Sequence, residues 1–172
     1  MSANGNNILL LNRKERVVVQ DKVVRLRFRV TEAANNELLQ YGDDLVYLHG
    51  GYGGAFPKVE RALEGCRVGD QAELRLSPDE GYGDYDPARV LVMACAGFDE
   101  HRPALGESVE AELADGTSMY FSVVDVTDHQ ITLDGNHPFA GKQLHFQFEV
   151  LEIRDSTDAE RSAGFAFDDL FA

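Results

Sequence analysis

Val24-Arg25-Leu26-Arg27-Phe28-Arg29-Val30 alternates apolar and basic residues without a break, and Leu144-His145-Phe146-Gln147-Phe148-Glu149-Val150 repeats the same period near the other end of the chain. Successive side chains leave a pleated backbone on opposite sides, so a period of two marks a strand with one buried and one wetted face. These two segments anchor a β-rich α+β fold, with the arginine row as its solvated face.

Outward from the first strand, 32–42 reads as a loop or irregular edge, followed by a short apolar run, Leu45 to Leu48, that stops at His49-Gly50-Gly51. Glycines at 50, 51, 53 and 54 mark a turn open to positive backbone φ. Beyond Pro57, Lys58-Val59-Glu60-Arg61-Ala62-Leu63-Glu64 joins good helix formers and ends at Gly65. That is the proline-first, glycine-last pattern of a short helix, with Val59, Ala62 and Leu63 on its inner face. Gln71 to Leu76 alternates again, and Asp79 to Pro87 is a turn-rich loop holding Tyr82 and Tyr85.

From about Ala88 to Leu133 the chain carries strand signals of its own, at Ser108 to Leu113, Thr117 to Val126 and Gln130 to Leu133, with Asp115-Gly116 as a hairpin turn between the first two. A segment this short has little core, yet a host domain tolerates it where its ends emerge together at a loop. The expected organisation is therefore a loose N-terminal tail at 1–16, a discontinuous domain at 17–87 and 134–154, an inserted small β domain at 88–133, and an acidic C-terminal tail at 155–172. Fraying is the expectation for that tail, with docking through its aromatic residues as the alternative.

The 172 residues suffice for one core plus a small second unit. Lys and Arg number 16 against 30 Asp and Glu, a formal net charge of −14 that repels nucleic-acid backbones. The apolar stretch Ile8 to Leu11 is too short to span a membrane, and no signal-peptide pattern is present. A cytoplasmic monomer with neither nucleic acid nor membrane as partner is expected. Cys66 and Cys95 stand apart without a CxxC pair and are read as buried thiols. His49, His101, His129, His137 and His145 show no metal-ligand spacing, so no metal and no cofactor are expected.

Four ordered stretches carry a family resemblance: Tyr47-Leu48-His49-Gly50; Ala62-Leu63-Glu64-Gly65 with Val68-Gly69-Asp70; Gly81-Tyr82-Gly83-Asp84-Tyr85-Asp86; and Gly135-Asn136-His137-Pro138-Phe139-Ala140-Gly141-Lys142. As a set, over about Val17 to Arg154, they resemble the SlyD-like branch of FKBP-type peptidyl-prolyl isomerases. The resemblance implies a twisted antiparallel sheet wrapped on one short helix, with an insert-in-flap domain between the Tyr82 loop and the Asn136 motif. It also implies an enzyme that binds unfolded, proline-containing polypeptides and accelerates X-Pro isomerisation. A chaperone or adaptor that keeps the fold but has weak turnover is the alternative. SlyD is known for a histidine-rich metal-binding tail; this chain has no histidine after His145, so metal handling is not carried over.

By the same resemblance the catalytic positions are Phe28, Phe56, Tyr82 and Phe146, and the substrate-binding positions Gln40, Leu45, Tyr47, Ala55 and Val59. The Phe56 backbone N–H and the Tyr82 hydroxyl are the expected donors to the peptide. Phe28 stands where the family usually has tyrosine, and Gln40 at or beside its usual aspartate, with Asp43 and Asp44 as the acids a shifted alignment would supply. Taken as residues alone, Phe28 and Phe146 are core candidates in any β protein. Tyr82 between glycines is a turn aromatic, and His137 a structural hydrogen-bonder; the surrounding motifs give Tyr82 its functional role.

Overall fold

A computed structural model describes residues 16–98 and 102–167. Apart from Arg16, the expected N-terminal tail lies outside the described residues, as does His101. The chain divides into two compact units, the first built from the chain up to Leu76 and again from Leu144, the second being Ser77–Gln143. In chain order the elements are β1 (Lys22–Glu32), β2 (Leu38–Leu48), α1 (Pro57–Leu63), β3 (Gln71–Leu76), β4 (Val90–Ala94), β5 (Ser108–Glu112), β6 (Ser118–Val126), β7 (Gln130–Asp134), β8 (Leu144–Asp155) and α2 (Asp158–Ala163). No helix among the described residues is long and apolar enough to cross a membrane.

The first unit is an antiparallel sheet in the order β2-β1-β8-β3. The two alternating segments of the sequence are its central pair, with Phe28 opposite Phe148 and Val30 opposite Phe146. Cross-strand partners share a face, so the apolar sets of both strands merge into one surface. Leu26, Phe28, Val30, Leu144, Phe146, Phe148 and Val150 are all buried. On the other face Arg27 meets Glu149 at 2.7 Å and Arg25 approaches Glu152 at 3.9 Å. The expected solvated arginine row is thus also a row of cross-strand ion pairs, each worth at most about 1 kcal/mol at this exposure.

The helix begins at Pro57, whose fixed φ suits the first turn, and Gly65 follows its end at φ +81. Val59 and Leu63, one turn apart, are its buried residues, and α1 packs against β3. Two segments differ from expectation. Strand β2 starts at Leu38, inside the stretch read as a loop, and continues to Leu48 through two register shifts against β1. Its polar run Gln40-Tyr41-Gly42-Asp43-Asp44 conceals the alternation, because an extra residue at a bulge breaks the period.

The second difference is at the C-terminal end. Instead of fraying, Thr157 caps α2 through a capping box with Glu160, and Gly164 closes it at φ +79. Glu160 is wholly buried. Both its oxygens are gripped by Arg154 at 2.9 and 2.6 Å, and Oε1 also accepts from the Phe167 backbone N–H at 2.7 Å. These donors hold its carboxyl far below the usual range, at about 2.

The second unit is an antiparallel sheet in the order β4-β7-β6-β5 over a core of Phe121, Val123, Ile131 and Leu133. The Asp115-Gly116 turn forms with Gly116 at φ +83 and the Thr117 hydroxyl on Asp115 at 2.6 Å. Val90–Ala94, outside the three segments with expected strand signals, is a fourth strand at the sheet's edge. Sequence places the insert at 88–133, whereas the compact unit reaches out to Ser77 and Gln143. Backbone bonds explain the wider unit: Gly141 N–H donates to Gly83 O at 2.8 Å, and the Asn136 amide brackets Asp86, accepting from its N–H and donating to its carbonyl, both at 2.9 Å.

Candidate functional site

The expected site residues divide between the units. On the first, Phe28, Tyr47, Val59 and Phe146 are buried, Leu45, Ala55 and Phe56 are half-buried, and Gln40 is exposed. Phe146 meets Phe56 edge-on at 6.3 Å between centroids and lies nearly parallel to Phe148 at 5.6 Å. Phe148, opposite Phe28, was a strand residue in the sequence reading and not a site residue, although its place in the alternation put it on the same face. Phe28, Phe148, Phe146 and Phe56 thus form a continuous aromatic wall. Val59 is carried in by α1, whose cap is Phe56 itself, so the helix start and the wall are placed together.

The acid near Phe28 is Asp44. Strand β2 sets Leu45 opposite Leu26 but Gly42 opposite Phe28, one residue more than β1 uses over the same span. A Cβ built on Gly42 would stand 2.6 Å from Asp44 Oδ1 and 3.0 Å from Phe28 Cε1, so the absent side chain is what lets both ring and carboxylate approach this backbone. Gln40, the residue that alignment set at or beside the acid, lies opposite Val30.

Tyr47 is buried, and its hydroxyl is already engaged. It shares a 2.9 Å hydrogen bond with His49 Nδ1, and His49 Nε2 lies 2.6 Å from Glu64 Oε2 at the end of α1. Burial, with the nearby charges of Glu60, Cys66 and Glu64, pushes the phenol's pKa well up, so it stays neutral. Glu60 on the same helix accepts from Gly51 N–H at 2.9 Å, which ties the glycine turn to α1.

Tyr82 belongs to the second unit. Its ring lies flat on His137, with centroids 3.9 Å apart and planes 11° apart, and Phe139 packs edge-on to it at 5.5 Å. Burial pushes its hydroxyl pKa up and keeps it a protonated donor at neutral pH. His137 accepts the Phe139 backbone N–H on Nδ1 at 3.0 Å, the structural role expected of it.

A recess of about 840 Å³ in the first unit borders part of the aromatic wall: Phe28 and Phe148 line it together with Gly42 and the polar Arg27, Arg29, Asp43 and Glu149. Among the described residues no three His, Cys, Asp or Glu side chains converge as a metal cluster would.

No family model matches the chain. Individual proteins do. It is 34% identical over 152 residues, covering 86% of this chain and 76% of the relative, to the FKBP-type peptidyl-prolyl cis-trans isomerase SlyD of Yersinia pestis. The SlyD of Escherichia coli K12 is 33% identical with the same coverage. The FKBP-type 16 kDa peptidyl-prolyl cis-trans isomerase of that organism is 33% identical over 102 residues, 59% of this chain and 68% of the relative.

Proposed function

Because the chain belongs to the SlyD-like FKBP-type peptidyl-prolyl cis-trans isomerases and acts on proline-containing polypeptides, we propose that it turns X-Pro bonds, with the aromatic wall of the first unit as the apolar surface, and holds unfolded chains on the second.

The amide barrier is about 18–20 kcal/mol because resonance gives the C–N bond partial double character. Twisting the bond abolishes that resonance and the charge separation it carries. A dry apolar surface therefore favours the twisted amide over the planar one, and no nucleophile is needed. The wall of Phe28, Phe148, Phe146 and Phe56 supplies such a surface, and it is the observation that carries this proposal. A donor to a neighbouring carbonyl fixes the peptide while the bond turns, the role proposed for the Phe56 N–H and for Tyr82. Asp44 stands in for Gln40 as the polar residue beside Phe28. Uncatalysed isomerisation takes roughly tens of seconds, slow enough to limit folding.

The holding function is supported by exposed apolar residues on the second unit. Edge strand β4 presents Val92 at 60% and Met93 at 37% exposure, and β6 presents Tyr120 at 69%. An edge strand offers backbone groups to an extended chain. We further propose a monomer in a reducing, cytoplasmic setting, in keeping with Cys66 and Cys95 as free thiols, and a net charge of −14 argues against nucleic acid as a partner.

Catalysis of cis/trans exchange in a short X-Pro peptide, compared between the wild type and Phe146→Leu, tests the site. The variant is expected to fold and to lose turnover; full activity in folded Phe146→Leu would move the site elsewhere.

A further inference from the structure

Tyr82 sits between two glycines, Gly81 and Gly83, in a segment of turns, where the flanking residues carry no side chains to pack on its ring. What holds it comes from the other end of the second unit. The His137 imidazole covers the Tyr82 ring face to face at 3.9 Å, and Phe139 meets both rings edge-on, at 5.5 Å from Tyr82 and 5.4 Å from His137. Stacked and edge-on pairs of this kind are the preferred geometries of aromatic rings.

The imidazole is itself held. Its Nδ1 accepts the Phe139 backbone N–H at 3.0 Å, so the neutral ring carries its proton on Nε2. Burial lowers its pKa, which favours this neutral form at physiological pH. The loop bearing it is in turn fixed by Asn136, which grips Asp86 on both backbone groups, and by Gly141 N–H on Gly83 O, one residue from Tyr82. The chain of support therefore runs from the Asn136–Gly141 loop, through the imidazole plane, to the Tyr82 ring.

We infer that His137 is a positioning residue for prolyl isomerisation, its imidazole plane setting the pose of the Tyr82 ring and hence the aim of the Tyr82 hydroxyl at the peptide substrate. This rests on the assignment of Tyr82 as a donor. His137 makes no contact with the reacting bond. It acts through Tyr82 alone, so the planar ring is what matters and the Nδ1 acceptor serves only to hold that ring.

Two substitutions separate the plane from the acceptor. His137→Phe keeps a flat ring over Tyr82 and loses the acceptor; His137→Asn keeps an acceptor near the Phe139 N–H and loses the ring. His137→Ala loses both, and Tyr82→Phe removes the hydroxyl alone. Each is assayed for kcat/KM on a short X-Pro peptide, with folding checked by circular dichroism and the Tyr82 ring protons followed by NMR.

His137→Ala and His137→Asn are expected to lose about tenfold in kcat/KM, the scale of a misaimed group, and His137→Phe to stay within about twofold. The Tyr82 ring protons, shielded by the stacked plane, should move downfield in the Ala and Asn variants and not in Phe. Activity kept by His137→Asn but lost by His137→Phe would overturn the inference, because the role would then be a loop hydrogen bond. Full activity in all three His137 variants beside an impaired Tyr82→Phe would also overturn it while leaving Tyr82 in place. Full activity in Tyr82→Phe would remove the donor assignment, and the inference with it.

Discussion

The Phe28 ring and the Asp44 carboxylate both close on the backbone of Gly42, at 3.0 and 2.6 Å from the point where a Cβ on that glycine would stand. Two substitutions follow from this contact. Gly42→Val drives a branched side chain into both neighbours and should displace the ring, at a cost of about 1–3 kcal/mol for an overpacked site, with a matching loss of peptide turnover. Phe28→Tyr adds a hydroxyl at Cζ, which like Asp44 Oδ1 lies close to Gly42, and should fold with turnover at least equal to the wild type. A fall in turnover in folded Phe28→Tyr would show that Asp44 does not serve the ring.

Tyr47→Phe deletes the hydroxyl that satisfies His49 Nδ1 inside the first unit, where His49 is only 3% exposed. An unpaired buried polar atom costs about 1–3 kcal/mol. The thermal midpoint should fall by about 2–4 °C for each kcal/mol in a chain of this size. Glu64→Gln, which keeps an acceptor for Nε2 at the exposed end of the chain of bonds, should cost less. Differential scanning calorimetry of the two variants checks the order.

Glu160 makes stability depend on acid. Its folded pKa of about 2 lies below the ordinary 4.5, so the native state binds its proton less readily than the unfolded chain. The stabilisation, on the order of 3 kcal/mol, is complete above the unfolded value and disappears as pH falls from there toward the folded one. Urea midpoints of the wild type should therefore drop through that window, and those of Glu160→Gln should start lower and change less. Parallel pH profiles for the two proteins would show that the Arg154–Glu160 contact contributes nothing.

Replacing residues 88–133 by a short loop should leave the Phe28, Phe56 and Phe146 wall intact, since all three lie outside it. Asn136 holds both backbone groups of Asp86, so the ends to be joined already lie side by side. Turnover of a short proline peptide should survive. Acceleration of proline-limited refolding should fall much further, because the exposed strand β4 that would hold the unfolded chain is gone. Equal loss of both activities in a folded variant would reject the division of labour.

The legible part of this protein is the part set by near neighbours. Alternation at Val24–Val30 and Leu144–Val150 gave both central strands and their buried faces, because a period of two needs no knowledge of the partner. Pro57 and Gly65 bracketed the helix to within one residue for the same kind of reason, φ limits that act on single residues. The ordered motifs carried the family. Phe148 was legible as core and was missed as wall only because no motif pointed to it.

Three relationships were decided by tertiary structure alone. Gly42, with Asp44 beside it, and not Gln40 comes opposite Phe28 because a bulge adds a residue to β2, and a register counted along one strand cannot show where its partner has slipped. Glu160 anchors a folded C-terminal helix because Arg154 supplies two donors to a carboxylate that would otherwise have to stay in water, and in sequence it is one acid among many. Tyr82 lies flat on His137 because the Asn136 amide closes two distant loops on each other. Sequence by itself determined which residues prefer strand, helix and turn, since backbone sterics and side-chain period are local; which side chains meet was left to the packed chain, where hydrogen bonds and close contacts join residues that have no local reason to be near.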